Sequence, residues 1–249
     1  MEIKVLEFNL FQGYPELRHG VFSRSGGVSS GCFDSLNLGV SVGDDPGAVE
    51  ENRHRILAKM ETPQAVYLNQ VHGKIIHVLT EDNSQEPIVA DGVVTDMLYI
   101  ALVIQVADCQ GVLLYDPEQK VIANVHSGWR GSVENIIGNC IDVMTGRFKC
   151  NPKDIRAGIS PSLGPCCAEF INYREEIPEA LWAYKLPGKV CFDFWKLSCD
   201  QMMAKGVRPE NIEIQNICTQ CNTDEFYSFR QEKITGRFGC VISLKSNNE

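Results

Sequence analysis

Short, strongly apolar runs separated by polar turns fill most of the first half of the chain. Residues 3–10 alternate weakly and predict an opening strand. Residues 65–69 and 74–79 predict two more. YIALVIQVA is apolar throughout, as expected of a central strand covered on both faces, and it ends at Asp108-Cys109. GVLLYD and KVIANVH follow as two strands joined by the turn DPEQK. Residues 19–39, rich in serine, glycine and asparagine, read as a loop, and EDNSQEP reads as a polar turn.

Helical spacing emerges in three places. Residues 44–60 form a helix opened by aspartate and Pro46, with Val49, Ile56, Leu57 and Met60 inside and Glu50, Glu51, Arg53 and Arg55 facing water. Residues 132–148 carry a second, on Val133, Ile136, Ile137, Cys140 and Met144. Residues 194–204 carry a third, ended by Gly206. KDIRAGIS and ENIEIQNIC predict strands that run into loops, and FGCVISL predicts a closing strand. Strands outnumber helices and several follow one another directly. The fold class is therefore α+β, a layered α/β sandwich with mixed sheets, rather than a doubly wound parallel sheet. Without repeats or a linker, residues 1–249 read as one domain.

A net charge of −9 excludes a nucleic-acid surface as the main business of the chain. No apolar run is long enough for a membrane span, and MEIKVLEFNLF lacks the basic-then-apolar order of a signal peptide. Eleven cysteines, an odd number in a long chain, fit reduced thiols and a cytoplasmic location. A monomer or weak homodimer is expected.

Three residues at or near the ends of apolar runs can bind a borderline metal: His72, Cys109 and His126. Their spacings of 37 and 17 residues exclude a single helix or hairpin, so strand ends would have to meet at one edge of a sheet. Two imidazoles and one thiolate leave the fourth tetrahedral position of zinc open, as in catalytic sites. The alternative is a buried cysteine beside two hydrogen-bonded histidines. HSGWRG places the amides of Gly128 to Gly131 near a helix start, and Arg130 there can receive phosphate or carboxylate as a fork, or pair with Asp108. Ser23 and Arg24 offer a weaker anion site, and Arg230 and Arg237 are distant candidates for the same pocket. Asp91, in ADG, reads as a turn residue. His19 and His77 read as structural and His54 as a surface residue. Cys218 and Cys221 have CxxC spacing with no second CxxC, and Cys166-Cys167 reads as packing in a loop wall. Neither pair is expected to hold metal.

Taken together, NQVHG, ADC, HSGWRG, SLGPCC and SFR…TGR resemble the bacterial YfiH family along nearly the whole chain. Its members have been described as polyphenol oxidases of the laccase type, as purine nucleoside phosphorylases with adenosine deaminase activity, and as a peptidoglycan editing factor. The resemblance implies a layered fold like the catalytic domain of a cytotoxic necrotizing toxin. It also implies zinc ligation by His72, Cys109 and His126, with Asp108 orienting a ligand or carrying a proton. Ser127, Gln110 and Gln231 depart from the usual alanine, aliphatic residue and arginine. The implied activity is zinc-dependent phosphorolysis of purine nucleosides (adenosine, inosine, methylthioadenosine) with adenosine deamination, Arg130 holding phosphate with Ser23, Arg24 and Arg230 in support. A laccase-like copper enzyme, a Cys–His or zinc hydrolase editing peptidoglycan precursors, and a non-enzymatic partner protein with structural zinc remain as alternatives.

Overall fold

The computed structural model describes residues 2–83 and 87–246. The polar turn expected over 81–87 lies partly outside them.

Among the described residues, twelve strands form two six-stranded mixed sheets. The first runs β1 (Val5–Leu6), β2 (Leu17–Phe22), β12 (Phe238–Leu244), β7 (Ile100–Val106), β3 (Gln64–Asn69), β5 (Ile88–Val89). The second runs β11 (Ile212–Ile214), β10 (Arg156–Ile159), β8 (Gln110–Asp116), β9 (Val121–Ser127), β6 (Gly92–Thr95), β4 (Ile76–Val78). Parallel pairs join β3 to β7 and β5, β4 to β6, and β10 to β11; the others are antiparallel.

The sheets stack face to face, and the alternation along each strand sorts residues into layers. Leu102, Ile104, Leu113, Tyr115, Ile122 and Ile242 fill the space between the sheets. Their neighbours Val112, Leu114, Val121, Ala123 and Val125 face outward, beneath helices α3 (Ile136–Phe148) and α4 (Phe194–Ala204). Ala101, Val103 and Val241 face the other way, beneath α1 (Pro46–Met60). The order is helix, sheet, sheet, helix. Close approach of the sheets requires Gly111, where a Cβ would lie 2.3 Å from Cys240 Sγ. Truncating an inter-sheet leucine such as Leu102 to alanine removes roughly 2–5 kcal/mol. Among the described residues, no helix is long and apolar enough to cross a membrane.

Four expectations change. Only Val5–Leu6 of the opening segment is strand; a tight 3₁₀ turn over Asn9–Phe11 then carries Phe11 into the core. Residues 19–22 belong to β2, and the rest of the 19–39 loop is ordered by a buried asparagine. Asn52 of α1 binds the Val28 N–H and donates to Ser29 Oγ and the carbonyls of Ser35 and Asn37. Arg53 does not simply face water: it donates to the Leu38 carbonyl, and its Cζ lies 3.7 Å from the centre of the Tyr67 ring. Finally, the helix expected over 132–148 is two helices. A short α2 (Trp129–Val133) precedes α3, and the break falls at Asn135, whose φ of 56° is left-handed and whose side chain caps the Gly138 N–H.

Candidate active site

Strand topology brings His72, Cys109 and His126 together. β3 and β7 are parallel, so the loops carrying His72 and Asp108-Cys109 leave the same end of the first sheet. In the second sheet Gln110 pairs with Ser127 and Gly111 with His126, so the start of β8 lies beside the end of β9. Cys109 Sγ lies 3.9 Å from His72 Nε2, and the two imidazole rings are 4.7 Å apart, nearly perpendicular. One donor atom from each residue lies within 4.8 Å of the others. A tetrahedral zinc with bonds of about 2.3 Å to sulfur and about 2.0 Å to nitrogen holds such donors about 3.5 Å apart, so the set fits with little adjustment. Gly128 leaves the space: a Cβ there would lie 3.0 Å from both Cys109 Sγ and His72 Cδ2.

Asp91 organises the group. It is fully buried at the start of β6, with Oδ1 2.7 Å from His126 Nδ1. The same carboxylate accepts the N–H groups of Val71, His72 and Gly73. These bonds hold the left-handed turn at His72, where φ is 59°. Burial alone would raise its pKa, but the bonds from His126, Gly73 and His72 keep it lowered. With Nδ1 committed, His126 offers Nε2 to the group. Burial opposes charge on Cys109 and His126, yet each favours the other's ionised form, so the thiol is lowered and the imidazole raised. Asp91 is thus more than a turn residue. The signal available in the sequence was ADG directly before an apolar strand.

A cavity of about 870 Å³ opens over these residues, walled by Tyr67, Phe170, Phe194 and Phe229. Its cations are Arg53, Arg230 and Arg237. Arg237 sits close enough to Asp108 and Cys109 to feel both charges, and Arg230 donates to the Glu169 carbonyl. Arg130 is placed elsewhere: it is exposed on α2, its Cζ 5.1 Å from the Trp129 ring, because the helix begins at Trp129 and turns the next residue outward. Ser23 and Arg24 also lie outside the cavity wall. Arg24 is consumed by the carbonyls of Asp34 and Thr223 and by Glu232, and buried Ser23 accepts the Ser25 N–H. Asp108, at a left-handed φ of 89°, accepts from Thr219, Ser228 and the Arg230 N–H.

Two of the departures carry their polar atoms away from the histidines. Gln110 bonds the Phe194 carbonyl and Ser198, while Ser127 bonds Ser132. Gln231 is exposed and meets Gln220. His19 is structural, accepting the Phe8 N–H, and His54 is exposed. His77, expected to be satisfied, has a buried Nε2 with no partner among the described residues. The two cysteine pairs, neither of them expected to hold metal, meet in one group of four.

A family model described as multi-copper polyphenol oxidoreductase laccase matches residues 18–245. A purine nucleoside phosphorylase of Pseudomonas aeruginosa is 32% identical over 237 residues, covering 92% of this chain and 94% of that protein. The purine nucleoside phosphorylase YfiH of Escherichia coli is 33% identical over 232 residues, with coverage of 89% and 91%. Among solved structures, a hypothetical protein YfiH of Bacillus licheniformis superposes with a TM-score of 0.87 at 27% identity, covering 94% of this chain and 95% of that one. YlmD of Geobacillus stearothermophilus gives 0.85 at 29%, covering 94% and 93%. Motifs, architecture and relatives agree, and the chain belongs to the YfiH family.

Proposed function

We propose that the chain is a zinc-dependent purine nucleoside phosphorylase that also deaminates adenosine. The observation that carries the reading is the meeting of a His–Cys–His donor set, aromatic walls and the cations Arg230 and Arg237 in one cavity. His72, Cys109 and His126 would hold the zinc, which would supply a Lewis acid to the cavity they line. Asp91 fixes the His126 tautomer and the His72 turn.

In phosphorolysis a phosphate oxygen bonds to C1′ of the ribose as the bond to the purine nitrogen breaks, giving ribose 1-phosphate and the free base. The chain's part is to hold the anion in line and the base in place. Arg230 and Arg237 take the phosphate, and they replace Arg130, Ser23 and Arg24 in that role. Phe229, 52% exposed at the rim, and Phe170 give the purine flat surfaces. Asp108 spends its hydrogen-bonding capacity on Thr219, Ser228 and Arg230, which suits a positioning role better than proton transfer.

A second reading has its own observation. Cys109, His126 and Asp91 form a line in which a carboxylate orients an imidazole beside a lowered thiol, the order used by cysteine hydrolases. Peptidoglycan precursor editing belongs to this reading. Copper on the same three donors is the laccase-type alternative, but only His72 and His126 of the five histidines line the cavity among the described residues, too few for coupled copper sites. A reducing, cytoplasmic setting is part of the proposal, since Cys109 must stay a thiolate. Phosphate-dependent release of hypoxanthine from inosine, before and after metal chelation, tests the first reading against the second.

A further inference from the structure

β10 and β11 pair in parallel, Gly158 opposite Glu213, so the loops after them leave the same end of the second sheet. The pairing continues into those loops: the Ser162 N–H donates to the Ile217 carbonyl and the Thr219 N–H to the Ser162 carbonyl. Cys166 and Cys167 on the first loop therefore face Cys218 and Cys221 on the second. This parallel closure is what linear spacing conceals, because it joins residues more than fifty positions apart.

Cys221 Sγ lies 3.5 Å from Cys167 Sγ and 3.8 Å from Cys166 Sγ, and all four sulfurs lie within 4.8 Å of one another. A disulfide requires about 2.05 Å between sulfurs. A tetrahedron of sulfurs about 2.3 Å from a central zinc has edges of about 3.8 Å, and the observed separations sit near that value. The group contains no imidazole or carboxylate, a donor set that selects soft or borderline metals. Gly164 approaches so closely that a Cβ would lie 3.0 Å from Cys218 Cβ, and its N–H donates to Cys218 Sγ at 3.3 Å. Such a bond stabilises sulfur carrying charge. Cys166 and Cys221 are exposed, so an ion has a path in from solvent.

We propose that Cys166, Cys167, Cys218 and Cys221 form a second, structural zinc site with four sulfur ligands and no open position. Its place explains its use. Thr219, next to Cys218, donates to Asp108 at 2.7 Å, and the Leu163 N–H donates to the Asp108 carbonyl on the other loop. Arg230 reaches the Glu169 carbonyl, two residues beyond Cys167. An ion here clamps together the two loops that position Asp108 and Arg230. The inference does not depend on which reaction the cavity performs.

The test is zinc stoichiometry with X-ray absorption of the first shell, on full-length protein purified under reducing conditions. Wild type should hold two zinc ions per chain. The His72→Ala/Cys109→Ala variant should keep one, with an all-sulfur shell. Cys166→Ser/Cys221→Ser should also keep one, with a shell of mixed nitrogen and sulfur. Should the second variant fail to fold, the first and the wild type still decide. A His72→Ala/Cys109→Ala protein that is folded yet zinc-free, or whose zinc shell contains nitrogen, overturns the proposal. So does a Cys167–Cys221 disulfide in the reduced wild type.

Discussion

The Asp91 carboxylate lies 2.7 Å from His126 Nδ1 and, with the same two oxygens, accepts three consecutive N–H groups from the turn that presents His72. One buried residue thus sets the orientation of two donors that arrive from different sheets. Asp91→Asn keeps the volume but places an amide against N–H groups. The expected outcome is a 10–100-fold loss of metal affinity, the range for such outer partners, measured by competition with a chromophoric chelator. Unchanged affinity would show that the carboxylate serves only the turn.

Gly128 and Gly146 make a matched pair. Gly128→Ala drives a Cβ to 3.0 Å from Cys109 Sγ and His72 Cδ2, and should abolish tight metal binding while the protein stays folded. Gly146→Ala, inside α3 with nothing within 4 Å, should raise stability by about 1 kcal/mol through helix propensity. Chemical denaturation and metal analysis of both variants check this.

His19 gives a pH prediction far from the metal. Burial lowers its pKa to about 4, and the Phe8 N–H that donates to its Nε2 needs the neutral ring. The unfolded chain takes up the proton near pH 6.5, so between about 6.5 and about 4 it binds more protons than the folded one. The stability held by neutral His19 is therefore complete above pH 6.5 and is lost as pH falls, by at most roughly 3 kcal/mol. Between pH 7 and 5, where few carboxylates titrate, the folding midpoint of His19→Gln should change less than that of wild type. Equal slopes would contradict the assignment.

Arginine variants separate the cavity from its surroundings. Arg237→Gln or Arg230→Gln should lower kcat/KM at limiting phosphate by about 10–100-fold, equivalent to a lost charge-assisted bond of roughly 1.5–3 kcal/mol. Arg130→Ala, exposed on α2, should stay within about threefold of wild type. The reverse order would return Arg130 to the phosphate role.

Much of this was legible in the chain. β7, β8 and β9 are fully or almost fully buried runs, with Cys109 between β7 and β8 and His126 near the end of β9, while His72 follows β3, so apolar length and motif position found them together. What was lost depends on register between distant strands. Asp91 matters because Gly92 pairs with Val125, which sets Asp91 beside His126. The four cysteines meet because β10 and β11 are parallel. Arg130 lies outside the cavity wall for a different reason. The helix starts at Trp129, three residues before the expected 132–148 segment, and the left-handed Asn135 breaks it, so the phase of the first turn differs from that of α3.

Following inosine with and without phosphate, in zinc-loaded, metal-stripped and zinc-restored protein, decides whether the cavity is a zinc-dependent phosphorylase. Hypoxanthine and ribose 1-phosphate should form only when phosphate and zinc are both present, with activity lost on stripping and recovered on restoring the metal. Inosine cleavage that survives complete removal of zinc, or a fully loaded protein that leaves inosine intact, would contradict that reading.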